Sequence, residues 1–179
     1  MTAAAAQPID RLATPSLLRR LAAFAYEGML LFAVAMLATY LYSALTQQRH
    51  ALQGQAGLQA FLFAVLAVYF VWFWSRGGQT VALRAWHLRL VTADGGAISQ
   101  GRAMLRYLAS WIWFAPAWLT AWLADMHGPL QISALMAAGV VVYALLSFLQ
   151  PQRQFWHDAL CGTRITVWKP PSPRAQSGA

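Results

Sequence analysis

Four long apolar runs dominate the chain: Leu21–Leu45, Leu58–Trp74, Tyr107–Ala124 and Gln131–Leu149. A bilayer span needs roughly 20 consecutive apolar residues, so each run is long enough to cross, with some tilt. The first run starts only after Arg20 and is too long for the apolar part of a signal peptide, so it reads as a retained helix. Pro116 inside the third run predicts a kink or a local break. Pro151 ends the fourth.

The polar stretches between the runs differ in kind. Thr46–Gly57 is a Gln-rich connection, and Asp125–Pro129 a tight turn. Ser75–Arg106 is the one long polar segment. It opens on the loop signal Arg76-Gly77-Gly78-Gln79-Thr80. Ala85–Val91 then alternates, with Ala85, His87, Arg89 and Val91 on one side and Trp86, Leu88 and Leu90 on the other; period two predicts a short strand. Asp94-Gly95-Gly96 is a turn. Ser99 is a candidate N-cap for a helix that carries Arg102 and Arg106 into the third run, as Ser16 is for the first. Beyond the fourth run, Arg164–Trp168 is a second candidate strand. A lone strand leaves its backbone groups unpaired, and each of these two is the other's evident partner, so they are expected to pair. Residues 1–18 and 169–179 read as disordered tails, with one domain over residues 19–168.

Composition agrees with lipid as the solvent. Apolar residues make up 59% of the 179 and charged residues only 10%; a soluble domain carries about 25%. Nine Trp suit a protein with two membrane–water boundaries, and the cluster Tyr69, Phe70, Trp72, Phe73, Trp74 is expected at one of them. The fold class predicted is an all-α membrane protein: a four-helix transmembrane bundle with a small cytoplasmic β-hairpin-like cap.

The net charge of +8 points to lipid headgroups rather than nucleic acid. Its basic residues sit between apolar runs, not on a basic face interleaved with aromatics. They also set the orientation. Twelve lie in the N-terminal, central and C-terminal segments, against Arg49 alone in the other two connections. That contrast predicts an even number of spans with both termini cytoplasmic. The Arg excess over Lys and the abundance of Ala point to a GC-rich bacterial genome, hence an inner membrane.

Few residues carry chemistry. Glu27 stands about 10 Å deeper in its span than Arg20, on nearly the same face. A charged, unpaired carboxylate there costs several kcal/mol. It therefore reads either as a paired or neutral group that pins helix packing, or as one that handles a proton or cation. Arg20, with Arg19, is a positive anchor at the boundary or a partner for an acidic group. In Trp156-His157-Asp158, Asp158 reads as an acceptor for an Arg or for backbone N–H groups. If the first and fourth helices pack together, Arg20 can reach Asp158 with Glu27 one layer deeper. A single cysteine, Cys161, rules out an intrachain disulfide and reads as a packing residue. His50, His87 and His127 are isolated. No catalytic or cofactor motif is present: no enzyme is expected, and no cofactor or metal is called for.

The blocks RRLAAFAYE, GGQTVALRAWHLRLVTADGGAISQGRAMLRYL and FWHDALCGTRITV, in that order, resemble the RDD family of small integral membrane proteins, over about Leu18–Trp168. The resemblance places the family arginine on Arg20, the first family aspartate on Glu27 and the second on Asp158. Two departures stand out: Glu replaces Asp at 27, and Val81-Ala82-Leu83 replaces the Pro-Gly-Lys that follows Gly-Gln-Thr in the family. The resemblance implies a role in transport of an ion or small solute, since a transported ligand has been suggested for the family and sodium–proton exchange for some members. A different class, a non-transporting scaffold or assembly factor for other membrane proteins, fits the same residues. The partners implied are the lipid bilayer and further copies of the chain or other membrane proteins, because four helices enclose little room for a pathway.

Overall fold

The computed structural model describes residues 13–47, 55–151 and 153–168. The tail readings for residues 1–12 and 169–179 lie outside them. Among the described residues three helices are long and apolar enough to cross a membrane: α1 (Leu17–Thr46), α2 (Gln55–Gly77) and α6 (Pro129–Leu146), which a turn of 3-10 helix extends to Leu149. Ser16 caps α1, its hydroxyl accepting from the Arg19 N–H at 3.4 Å. Much of the apolar surface of these helices is exposed, as at Met29, Phe32, Tyr40, Val141 and Leu149. That surface would be costly in water and is the ordinary exterior of a helix in lipid.

The third apolar run is not one helix. Ser99 caps α4 (Gln100–Ser110) by accepting from Arg102 N–H at 3.3 Å. A 3-10 turn over Trp111–Trp113 follows, then α5 (Ala115–Leu123). Pro116 lies in the first turn of α5, where its missing N–H costs nothing; the break expected inside this run falls just before it. α5 returns along α6, where Gly139 lets the Ala117 methyl approach closely.

The central polar segment folds onto the ends of these helices. Thr80 caps the short helix α3 (Val81–Ala85). The strand expected from Ala85 therefore starts later, as β1 (Leu88–Thr92). The helix claims Ala85, and His87, at φ 53°, turns the chain into the strand. β1 pairs antiparallel with β2 (Thr163–Val167), Leu88 opposite Val167 and Leu90 opposite Ile165. These strands are not a hairpin, since α4, α5, α6 and α7 (Trp156–Leu160) lie between them in sequence.

A two-stranded sheet leaves two open edges. Here both are tied down. The Gln154 side chain meets Ile165 as a strand would, accepting from its N–H at 3.1 Å and donating to its carbonyl at 3.2 Å. Val167 N–H donates to Ala13 at 3.1 Å, which binds the chain ahead of α1 to the cap. On the other edge Leu90 N–H donates to Gly78 at 2.7 Å and the Gln79 amide to Leu88 at 2.6 Å. The core sits beneath this sheet: Trp74, Leu88, Leu90, Ile98, Ala103, Tyr107, Trp113, Tyr143, Phe155 and Ile165 form one buried cluster.

Candidate functional site

A layer of buried charge separates the cap from the apolar helices. Glu27, 9% exposed, projects from α1 toward α2 and the Gly-Gln-Thr segment. Tyr69 donates its hydroxyl to Oε1 at 2.7 Å, and Thr80 donates to Oε2. Thr80 can do this while capping α3, because its oxygen accepts from Leu83 N–H at 3.2 Å while its proton goes to the carboxylate. The Gly-Gln-Thr run thus has three separate duties. Gly78 makes the turn at φ 68°, Gln79 holds β1, and Thr80 satisfies Glu27.

Asp158, in α7, is fully buried. Its Oδ1 accepts from Arg106 Nε at 2.7 Å and from Thr163 Oγ1 at 3.4 Å. The expectation that Asp158 accepts from an arginine holds, with Arg106 of α4 as the partner. The expected Arg20–Asp158 contact is absent: no ion pair joins them within 4 Å. The reason is the packing of α1, whose main contacts are with α2 and α3 rather than α6, while α4 lies against α7. Nor does Arg20 reach Glu27. Its guanidinium lies over the Phe155 ring, 4.4 Å from the centroid. Arg20 Nε and Nη1 are buried without a hydrogen-bond partner, and so is Asp158 Oδ2.

His157 packs in the same layer. Its Nδ1 accepts from Trp113 Nε1 at 3.1 Å, with the Tyr143 hydroxyl 3.0 Å away. An indole N–H can only donate, so the proton of the neutral ring is on Nε2, 3.5 Å from Asp158 Oδ1. Burial lowers the imidazole pKa to about 4 against the pull of Asp158, so His157 is neutral near pH 7. Burial pushes the Cys161 thiol up, away from thiolate reactivity. Among the described residues no three of His, Cys, Asp and Glu come together as a metal site would require.

Beneath this layer a partly open cavity of about 360 Å³ runs between α1, α2 and the α4–3-10 junction. Arg20, Glu27, Arg106 and His157 reach its wall, and the rest is largely apolar: Phe24, Leu31, Leu66, Phe70, Trp111 and Phe114 among others. Phe24 stacks on Trp113 at 5.1 Å across one side.

The three family positions therefore share one buried layer without touching one another. Sequence reading missed Arg106, Tyr69 and Thr80. Arg106 looked like one more boundary charge. The signal against that was its phase on α4: it lies three residues after Ala103 and one before Tyr107, both buried. Tyr69 sat in an aromatic cluster assigned to the headgroup boundary. Within it only Trp72 is largely exposed, with Arg76 over its ring at 3.8 Å, while Trp74 is buried beneath Arg106 at 4.2 Å.

Fold and site together define a small helical membrane protein with a buried polar layer under a two-strand cap. The profile of the RDD family matches residues 14–162, most of the chain, and the chain belongs to that family. No curated protein and no solved structure matches it.

Proposed function

We propose that this is a four-span protein of the bacterial inner membrane, with both termini cytoplasmic, that binds an ion or small solute in the cavity below the cap and takes part in its transport. The observation that carries this reading is the cavity itself. It reaches from outside the protein to Glu27, the one carboxylate set within a long apolar helix. An ionisable group at such a depth marks an ion or solute path by default. The broken segment Gln100–Leu123 would be the third span, its polar first turns at the cytoplasmic face. The bundle, alone or with further copies of itself, binds without covalent chemistry. The polar layer, the cap and all basic segments then share one side of the membrane, as the distribution of Arg requires. Reporter fusions at Gln55 and Gly128 should read periplasmic, and fusions at Gly95 and Ser177 cytoplasmic; a cytoplasmic reading at Gly128 removes the four-span topology.

One observation favours the scaffold reading instead. Both Glu27 oxygens already accept hydrogen bonds, so the carboxylate is satisfied with no ligand. Proteoliposomes holding a pH-sensitive dye separate the two. Under an imposed sodium gradient, a transporter gives a dye response that protein-free vesicles lack and that Glu27→Gln abolishes. Folded, reconstituted protein giving no response to sodium, potassium or proton gradients removes ion transport and leaves solute transport or the scaffold.

A further inference from the structure

Arg20 is the cation of the buried layer whose donors are left open. It is 3% exposed, and its Nε and Nη1 have no hydrogen-bond partner. Glu27 is engaged by Tyr69 and Thr80, and Asp158 by Arg106 through Oδ1; Asp158 Oδ2 is open, and its charge acts on Arg20 without a hydrogen bond. No carboxylate among the described residues lies within ion-pair distance of Arg20. A buried guanidinium with open donors costs several kcal/mol unless something meets them. Arg20 lines the cavity, so an occupant of the cavity can.

The remaining wall sets the other half of that occupant. Away from the charged layer the cavity is lined by Phe24, Gly28, Leu31, Leu66 and Phe70. An apolar cavity of about 150 Å³ is already enough for benzene, and this one has about 360 Å³. A small hydrophilic anion would satisfy Arg20 and waste the apolar wall, and a neutral hydrocarbon would do the reverse. A cation could meet Glu27 but would leave the Arg20 donors open and the apolar wall unused.

Resting on the reading of this cavity as a binding site, we propose that it takes an anionic amphiphile, with a carboxylate or phosphate on Arg20 and an alkyl chain between α1 and α2. A guanidinium suits this better than an ammonium would, since its planar fork matches two anionic oxygens at once. The same chemistry could come from a free single-chain acid or from an anionic phospholipid of the bilayer.

The test uses the full chain in nanodiscs of phosphatidylcholine, reading the part of its Trp fluorescence that saturates on addition of quencher, to which Trp111 and Trp113 at the cavity wall contribute. One arm adds a fatty acid brominated in its chain, with its methyl ester as the uncharged control. The other replaces part of the lipid with phosphatidylglycerol brominated in its chains. We expect saturable quenching in at least one anionic arm, and which arm saturates names the source. Arg20→Gln should weaken it about tenfold or more, with Arg20→Lys between. Gly28→Leu is the second variant, in case Arg20→Gln does not fold. Nothing lies within 4 Å of where a Cβ on Gly28 would stand, so a side chain there fills the chain's space with Arg20 intact. It should abolish saturation. Equal quenching by acid and ester, or undiminished binding in folded Arg20→Gln, overturns the proposal while the cavity remains a binding site. Saturable binding that Gly28→Leu leaves unchanged overturns it as well. Saturation by neither acid, ester nor anionic lipid overturns it together with this use of the cavity; sodium-driven flux persisting in that case keeps the transport reading alone.

Discussion

Breaking the Arg106–Asp158 pair tests the layer most directly. Asp158 is fully buried, and the Arg106 side chain is 8% exposed. Arg106→Met leaves a buried carboxylate without its arginine, and Asp158→Leu leaves a buried guanidinium over the Trp74 ring without its carboxylate. Each single substitution should cost about 3–5 kcal/mol. The double substitution removes both charges and fills the space with apolar atoms of similar bulk. It should cost less than either single, giving a coupling of about 3 kcal/mol or more. Arg20→Ala combined with Asp158→Ala is the comparison. These residues share no hydrogen bond and act on each other only through their charges, so their coupling should be smaller than that of Arg106 and Asp158. Unfolding by added SDS in mixed micelles, followed by Trp fluorescence, measures both cycles. Additive losses for Arg106 and Asp158, or a larger coupling for Arg20 and Asp158, would refute the assignment of partners.

Three further outcomes follow from the same layer and its cap. A His157 imidazole near pKa 4 resists a proton that the unfolded chain accepts near 6.5. Stability should therefore be full above pH 6.5 and fall by about 3 kcal/mol as pH drops to 4, and a His157→Gln titration that keeps the same slope would sink this. Gly78→Ala puts a Cβ on a φ of 68° and against the Leu90 carbonyl, so it should lose at least about 2 kcal/mol in the same SDS assay; a neutral effect would mean the turn is not held as described. Glu27→Asp, which restores the family residue, draws the carboxylate back by one methylene and should lose one of its two hydroxyl partners, costing about 1–3 kcal/mol. Doubles with Tyr69→Phe and with Thr80→Val should then show one that costs little beyond the worse single, and two fully additive doubles would refute the loss of either partner.

What the chain revealed in advance was whatever repeats locally. The apolar runs, the caps at Ser16 and Ser99, the break near Pro116 and the two strands all rest on neighbours within a few residues. Leu88 and Leu90 are buried and Arg89 is not, as the alternation required, but Val91, on the Arg89 side, is buried and Trp86, on the other, is exposed. The start of β1 was misplaced because Thr80 nucleates a helix through its cap, a contact that outweighs alternation at Ala85. The site was legible only as a set of residues. That Arg20 and Asp158 lie at one boundary follows from their placement near the span ends, with Glu27 expected one layer deeper. Which groups pair depends on α4 reaching α7 rather than α1, and no local pattern encodes that. Both Arg20 and Arg106 precede an apolar run, so both carry the signature of a boundary charge, and only the fold distinguishes the paired one from the open one.

The two strands that close the cap stand far apart in synthesis. Arg89 and Thr166 face each other across 77 residues, and everything between them must leave the ribosome before they can meet. Arg106 likewise waits for Asp158, 52 residues later. Closing so distant a contact comes late, after local helices have formed. During translation the nascent protein therefore carries an unpaired arginine beside the bilayer and an apolar face on β1 with nothing over it. A chain cut short before Asp158 never gains either partner, so an unfinished copy differs from a finished one in the surface it exposes.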